Sequence, residues 1–173
     1  LPHYFASYFM LGHFFLLPVP DIDRTQYFLI MGGNPLASNG SMMTAPDIKN
    51  RLKDIQNRGG KFIVIDPRKT ETAELADRHL FIRPATDVFF LFALLNALFE
   101  MGYPKNEFPE WMKGRIEELR KAAAPYSPES TEKLTGIPAA ETRKIASEFA
   151  SSGASVCYGR VGLSTQPFGA LCQ

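Results

Sequence analysis

YFLIMGGNP, residues 27–35, decides the fold: five apolar residues run without a break and end on Gly32-Gly33-Asn34-Pro35. A run this short and this uniformly apolar is the pattern of a parallel strand covered on both faces, because a strand with one wet face alternates. Outward from it, KFIVI at 61–65 is a second such run, and between the two Ile48, Leu52 and Ile55 recur at helical spacing until Gly59-Gly60. Thr44-Ala45-Pro46-Asp47 has the form of a capping box with an early proline, which predicts the helix start there. Strand, helix and strand in that order imply a right-handed crossover between parallel strands.

The rest of the chain extends this pattern. Pro67 ends the second strand, a short helix is predicted around Glu71 to Ala76, and a third strand runs from His79 to Arg83 until Pro84 stops it. Asp87 reads as the N-cap of a helix through Met101, apolar nearly all round and therefore buried. Phe108, Trp111, Met112, Ile116 and Leu119 form one face of a surface helix that ends near Pro125. Ser127-Pro128 opens a short helix ended by Gly136, and Pro138 opens another, with Ile145 and Phe149 facing inward, that finishes at Gly153. Residues 154–158 make a fourth strand, and a further helix start falls near Pro167. The fold class is α/β: a Rossmann-like open parallel sheet of about four strands with helices on both faces, plus a helical segment before the last strand.

A length of 173 residues with 45% hydrophobic content suffices for one domain with its own core. The 19 basic side chains against 18 acidic ones leave no general field to draw nucleic acid or an anionic membrane, so any anion must be held locally. Cys157 and Cys172 lack a CxxC spacing, which argues against structural zinc or a disulfide scaffold and leans towards a cytoplasmic or redox-indifferent chain. Cys157, inside the fourth strand, is expected to be a buried thiol. The aromatic-rich stretch from Tyr4 to Leu17 is shorter than the ~20 residues a membrane span needs. Residues 1–26 are expected to be an apolar segment continuing from an upstream domain, and residues 27–173 a nucleotide-binding domain cut at both ends. His3, His13 and His79 are isolated from one another and no triad can be assembled, so no catalytic or metal-ligating residue is assigned.

Ligands of an open parallel sheet bind beyond the carboxyl ends of its strands. There, Gly32, Gly33, Asn34, Pro35, Ser38, Asn39 and Ser41 form a loop of small residues expected to run directly into a helix N-terminus, a plausible diphosphate cradle. It is neither GxGxxG nor a Walker loop, and an ordinary strand-to-helix turn accounts for the same residues. Asp66 stands where such sheets place an acid for ribose hydroxyls. Arg68 fits either a phosphate or an ion pair with Asp66 or Asp77. Asp87 fits either a helix cap or a carboxylate that takes two parallel hydrogen bonds from guanine.

Gly32-Gly33-Asn34-Pro35, IDPRKTETAELAD at 65–77, IRPATD at 82–87 and GRVGLSTQPFG at 159–169 resemble the dimethyl sulfoxide reductase superfamily of molybdopterin oxidoreductases, which includes formate dehydrogenases and nitrate reductases. Residues 126–150 also resemble that superfamily's helical segment before its fourth strand. The resemblance implies molybdenum or tungsten held by two pterin cofactors, with this domain holding the guanosine diphosphate tail of one molybdopterin guanine dinucleotide. It implies cofactor-binding roles for Gly32, Gly33, Asn34, Pro35 and Ser38, for Asp66, Pro67, Arg68 and Thr70, for Thr86 and Asp87, and, near the pterin, for Gly159, Gly162 and Gln166. It places the metal ligand and any iron-sulfur cysteines upstream of Leu1 and the second pterin site downstream of Gln173. The implied partners are the remaining domains of a formate dehydrogenase-like parent and electron-transfer subunits, and the piece is not expected to catalyse alone. One departure is Ala85, where the superfamily has glycine; a positive φ there would strain alanine. Two other readings stand beside this one: a generic NAD or GDP module, with the missing GxGxxG against NAD, and a non-catalytic scaffold that keeps the fold without the cofactor.

Overall fold

The computed structural model describes residues 2–105 and 109–173. In chain order its elements are α1 (Pro2–Leu11), β1 (Tyr27–Met31), α2 (Pro35–Ser38), a 3-10 turn (Ser41–Met43), α3 (Ile48–Asn57), β2 (Lys61–Ile65), α4 (Glu71–Leu75), β3 (Arg78–Leu80), α5 (Asp87–Glu100), α6 (Glu110–Ala123), α7 (Pro128–Thr135), α8 (Ala139–Ser151), β4 (Ser155–Gly159), α9 (Val161–Ser164) and α10 (Gly169–Cys172). They divide into two compact units, Leu1–Ala85 with Ser152–Gln173, and Thr86–Ser151.

In the first unit all four strands pair in parallel, in the order β3-β2-β1-β4. β1 lies inside: Tyr27 stands opposite Lys61 on one side and Ser155 on the other, and Met31 opposite Ile65 and Gly159. Paired on both edges and buried along its whole length, it has no position at which a polar side chain would reach water, which is why its sequence is an unbroken apolar run. Phe28, Ile30, Phe62 and Val64 pack with Ile48, Leu52 and Ile55 of α3 and Ala73 of α4, while Val156 and Tyr158 lie at the margin of that cluster. Each such side chain contributes about 1.5–3 kcal/mol on burial, so α3 is held mainly by its apolar stripe.

Four local expectations are corrected here. The helix predicted from Thr44 begins at Ile48, because Thr44 and Asp47 both take left-handed backbone (φ 49° and 56°) and Ala45 N bonds back to Gly40 O at 3.2 Å. The Asp47 carboxylate accepts from Asn50 Nδ2 (2.9 and 3.1 Å) rather than closing a capping box. β3 stops at Leu80, since it pairs only opposite Ile63 to Ile65 at the sheet edge and Phe81 already stands exposed. Cys157 is exposed, not buried, because β4 is the other edge strand. The N-terminal stretch forms α1, which packs on α10 and leaves Phe5, Phe9 and Met10 well exposed (60%, 69% and 73%). No helix among the described residues is long and apolar enough to cross a membrane.

In the second unit, no residue of α5 from Asp87 to Phe99 is exposed, as its all-round apolar sequence predicts. Its cap is Thr86 rather than the expected Asp87, which is already the first helical residue, so the helix starts one place earlier than predicted. α5 packs against α6, α7 and α8; Phe92 stacks on Tyr126 at 5.1 Å, and Asn96 Nδ2 donates to Ala123 O at 3.2 Å. α6 is the expected surface helix, with Leu119 exposed; Phe108, placed on its face by sequence, lies outside the described residues. Ser127 caps α7 by accepting from Ser130 N at 3.2 Å, and Gly136 ends it at φ 78°. One side chain ties three helices: the Arg143 guanidinium of α8 forks onto Glu129 of α7 (2.7 and 2.9 Å) and reaches Glu100 of α5 (2.7 Å).

The Arg143 fork pulls the Glu129 carboxyl down from 4.5 to about 2, with its own backbone N–H helping. A carboxyl with a lowered folded-state pKa stabilises the fold above the unfolded value and loses that contribution as pH falls towards the folded one. Thermal stability is therefore expected to drop between pH 4.5 and about 2 more steeply in the native chain than in Arg143→Met. The difference should shrink in 0.5 M salt, on the order of the concentration at which exposed pairs are screened; parallel acid limbs would refute the coupling. A second expectation concerns Ala85, which stands at φ 67°. Left-handed backbone costs a residue with a β-carbon about 1 kcal/mol or more, so Ala85→Gly should raise the urea midpoint by the equivalent of about 0.5–1 kcal/mol.

Candidate functional site

Three of the predicted loops leave the carboxyl ends of β1, β2 and β4, which are neighbours in the sheet. Gly32 ties them together. Its N–H donates to Ile65 O at the end of β2 (3.1 Å), and its carbonyl accepts from Gly162 N beyond β4 (2.9 Å). The approach is backbone to backbone: a β-carbon on Gly32 would lie 2.7 Å from Leu163 N, and one on Gly162 would lie 2.7 Å from Gly32 Cα. Gly32 also sits at φ 56°, so both its conformation and its surroundings exclude a side chain. Gln166 belongs to the same junction, donating from Nε2 to Gly162 O at 3.0 Å, and Gly159 packs close to Leu163.

Several predicted ligands turn out to hold the loops. Asn34 donates to Glu71 Oε2 (2.6 Å) and accepts from Thr72 Oγ1 (2.7 Å), and Thr72 Oγ1 in turn accepts from Leu36 N (3.1 Å). This network latches the first loop to the start of α4 and occupies both ends of the Asn34 amide. The Glu71 carboxyl is held below its ordinary range, first by its own backbone N–H, then by Asn34, with a smaller pull from Arg68. Pro35 is the first residue of α2 and Ser38 the last, its hydroxyl 3.4 Å from Pro35 O. Neither Thr72 nor Glu71 was singled out by sequence. The signal lies within TETAE, which the sequence offers as a helix start and as part of the 65–77 motif without marking either side chain.

The second loop is a tight turn. Asp66 Oδ1 accepts from Arg68 N (2.8 Å), Pro67 and Arg68 are exposed, and buried Thr70 caps α4 by accepting from Ala73 N (3.1 Å). The ion pair considered for Arg68 does not form: Asp66 meets its backbone, and the Asp77 carboxylate takes Phe62 N at 2.8 Å. Among the described residues the Arg68 guanidinium has no hydrogen bond or ion pair. His79 makes a 3.0 Å contact from Nε2 to Asp66 O, a structural use consistent with its isolation in sequence.

The first loop does not run directly into the N-terminus of α3, as expected; α2 and the 3-10 turn intervene. The first residues of α3 instead line a cleft of about 360 Å³ with Leu36, Asn39, Glu71, Glu74 and Leu75. Asp47, Glu71 and Glu74 outnumber Lys49 in its lining, so the cleft is net acidic and disfavours a phosphate. Thr86 and Asp87 belong to the other unit, where Thr86 is half-buried at the N-cap of α5 and Asp87 is buried at its first turn, a position at which the helix dipole favours a carboxylate. No group of His, Cys, Asp and Glu among the described residues has the arrangement of a metal site.

No protein-family model matches the chain. It is similar to formate dehydrogenase H of Escherichia coli, with 32% identity over 142 residues that make up 82% of this chain and 19% of that protein. It is also similar to the assimilatory nitrate reductase catalytic subunit of Bacillus subtilis, with 26% identity over 152 residues, 88% of this chain and 21% of that one. Among solved structures, acetylene hydratase from Pelobacter acetylenicus shares the fold with a TM-score of 0.74 and 26% identity, over 89% of this chain and 20% of the other. The chain thus spans about a fifth of the length of the relatives it matches.

The junction at Gly32 has a direct test. Gly162→Ala sets a β-carbon against the Gly32 backbone, which cannot yield without opening the Gly162 N to Gly32 O bond. It is expected to lower stability by about 2–4 kcal/mol in urea unfolding. Gly114→Ala on α6, where nothing lies within 4 Å, should instead stabilise by about 0.5–1 kcal/mol through helix propensity. Equal effects at the two positions would refute the close approach.

Proposed function

Since this chain belongs to the molybdopterin oxidoreductases of the dimethyl sulfoxide reductase family, we propose that it holds the guanosine diphosphate tail of a molybdopterin guanine dinucleotide within a larger enzyme. The observation that carries this reading is the Gly32 junction, where three adjacent loops meet through backbone alone at the carboxyl ends of parallel strands. The junction's N–H groups hold the loops to one another, and Gly33 beside them has no β-carbon to close the crevice at the strand ends; the Arg68 guanidinium, without a hydrogen bond or ion pair among the described residues, adds a cation in the turn after β2 that suits a diphosphate. The residues present fit the group.

In this proposal Gly32, Gly33, Asn34, Pro35 and Ser38 shape the phosphate loop, with Asn34 acting through its latch to Glu71 and Thr72. Asp66 keeps one carboxylate oxygen for the turn and offers the other to a ribose hydroxyl, while Pro67 and Thr70 hold Arg68 at the turn. Thr86 and Asp87 are assigned to guanine, and Gly159, Gly162 and Gln166 to the pterin side. When bound, the cofactor supplies a metal that exchanges electrons with substrate, and this stretch orients it. We assign the metal ligand, any iron-sulfur cluster and contacts with electron-transfer subunits to other parts of the parent chain, and we propose that those parts cover the exposed apolar face of α1. A formate dehydrogenase-like oxidation is the proposed parent reaction.

The intact parent protein is expected to contain stoichiometric molybdenum or tungsten and to release guanine nucleotide on acid treatment; active protein lacking both would sink the proposal. In the same preparation Asp87→Ala is expected to lose most of its nucleotide, and full retention would remove Asp87 from the site.

A further inference from the structure

We infer that Arg160 supplies the fixed positive charge for the diphosphate at the junction of the first and fourth loops, an assignment that rests on the nucleotide-tail reading above. The residue is anchored before its side chain begins. Its N–H extends the β1 and β4 ladder by donating to Met31 O at 3.1 Å, and its carbonyl accepts from Leu163 N and Ser164 N at 2.9 and 3.2 Å. Its stem then lies across the phosphate loop: a β-carbon built on Gly33 would stand 3.1 Å from both Cβ and Cγ of Arg160. Gly33 is thus bare where the arginine crosses it, and the guanidinium is delivered from a backbone that is hydrogen-bonded through both its N–H and its carbonyl.

Among the described residues that guanidinium has no acid paired with it and makes no hydrogen bond, although the residue is half-buried. The acids of the neighbouring loops are engaged elsewhere, Glu71 with Asn34 and Asp66 with Arg68 N. Among the groups with a shifted pKa, His3 and Tyr158 feel its charge. His3 is shifted down by burial first and by nearby positive charge including Arg160, and Tyr158 is shifted up by burial against the opposing pull of Arg160, so both are neutral near pH 7 and neither is a counter-ion. A partly desolvated cation without a counter-charge is costly, and a guanidinium matches a phosphate edge with two parallel donors. Arg68 stands exposed on its turn, whereas the half-buried Arg160 has its stem laid against Gly33.

The test uses the full-length parent as purified, with Arg160→Gln and Arg160→Lys, and follows guanine nucleotide retained per protein during dialysis at low and high potassium chloride. The native protein should retain its nucleotide, with loss accelerated by salt. Arg160→Gln should lose it at least about tenfold faster, the order expected for one charge-assisted contact, and with a weaker salt dependence. Arg160→Lys should fall between the two, because it keeps the charge without the fork. If Arg160→Gln does not fold by circular dichroism, the lysine variant carries the test. Native rates of loss in whichever variant folds would overturn the role of Arg160 while leaving the nucleotide reading intact. A native protein that releases no guanine nucleotide would overturn that reading and this inference together.

Discussion

Gly32 bears two backbone hydrogen bonds that point in opposite directions, one to the end of β2 and one to the loop beyond β4. Three strand ends are thereby fixed relative to one another without any side chain between them. The arrangement is possible only because Gly32 and Gly162 both lack a β-carbon and Gly32 takes a left-handed turn. Moving either glycine displaces Leu163 and the start of α9, and with them Arg160, whose carbonyl is bonded to the same segment. Everything proposed about anion binding depends on this one close approach.

Around it, polar side chains divide into those that shape the loops and those left over. Asn34, Thr70, Glu71 and Thr72 are occupied with one another and with backbone N–H groups, so they set where the chain runs. Among the described residues the guanidinium groups of Arg68 and Arg160 have no hydrogen bond or ion pair. Charge is therefore segregated across a few residues, with an acidic cleft lined by Asp47, Glu71 and Glu74 and two uncommitted cations at the strand ends. A chain with a net charge of +1 attracts an anion through such local placement, not through its overall field.

The helical unit from Thr86 to Ser151 has its own logic. α5 is covered along nearly its whole length by the helices that follow it, and Arg143 joins α5, α7 and α8 through two glutamates at the surface. Core burial supplies the bulk of its stability; the Arg143 fork adds a contribution that salt and acid remove. Ala85, immediately before this unit, carries left-handed backbone despite its β-carbon, a local cost that the native packing sustains.

Strand positions, parallel pairing and the burial of α5 were legible in the sequence, because unbroken apolar runs and helical periodicity report local burial directly. Tyr27 to Met31 and Lys61 to Ile65 appear in the structure with the limits read from the chain. Boundaries that depend on competing turns were less legible: the start of α3 moved from Thr44 to Ile48 when Ala45 bonded back to Gly40. The family, too, was written in short motifs such as residues 65–77. What only the tertiary structure decided was which of the candidate residues hold the loops and which remain available. That Asn34 is spent on Glu71 and Thr72, that Gly32 abuts Gly162, and that Arg160 crosses Gly33 all follow from β4 lying beside β1. Sheet order places residues far apart in the chain against each other, and no local periodicity carries that information.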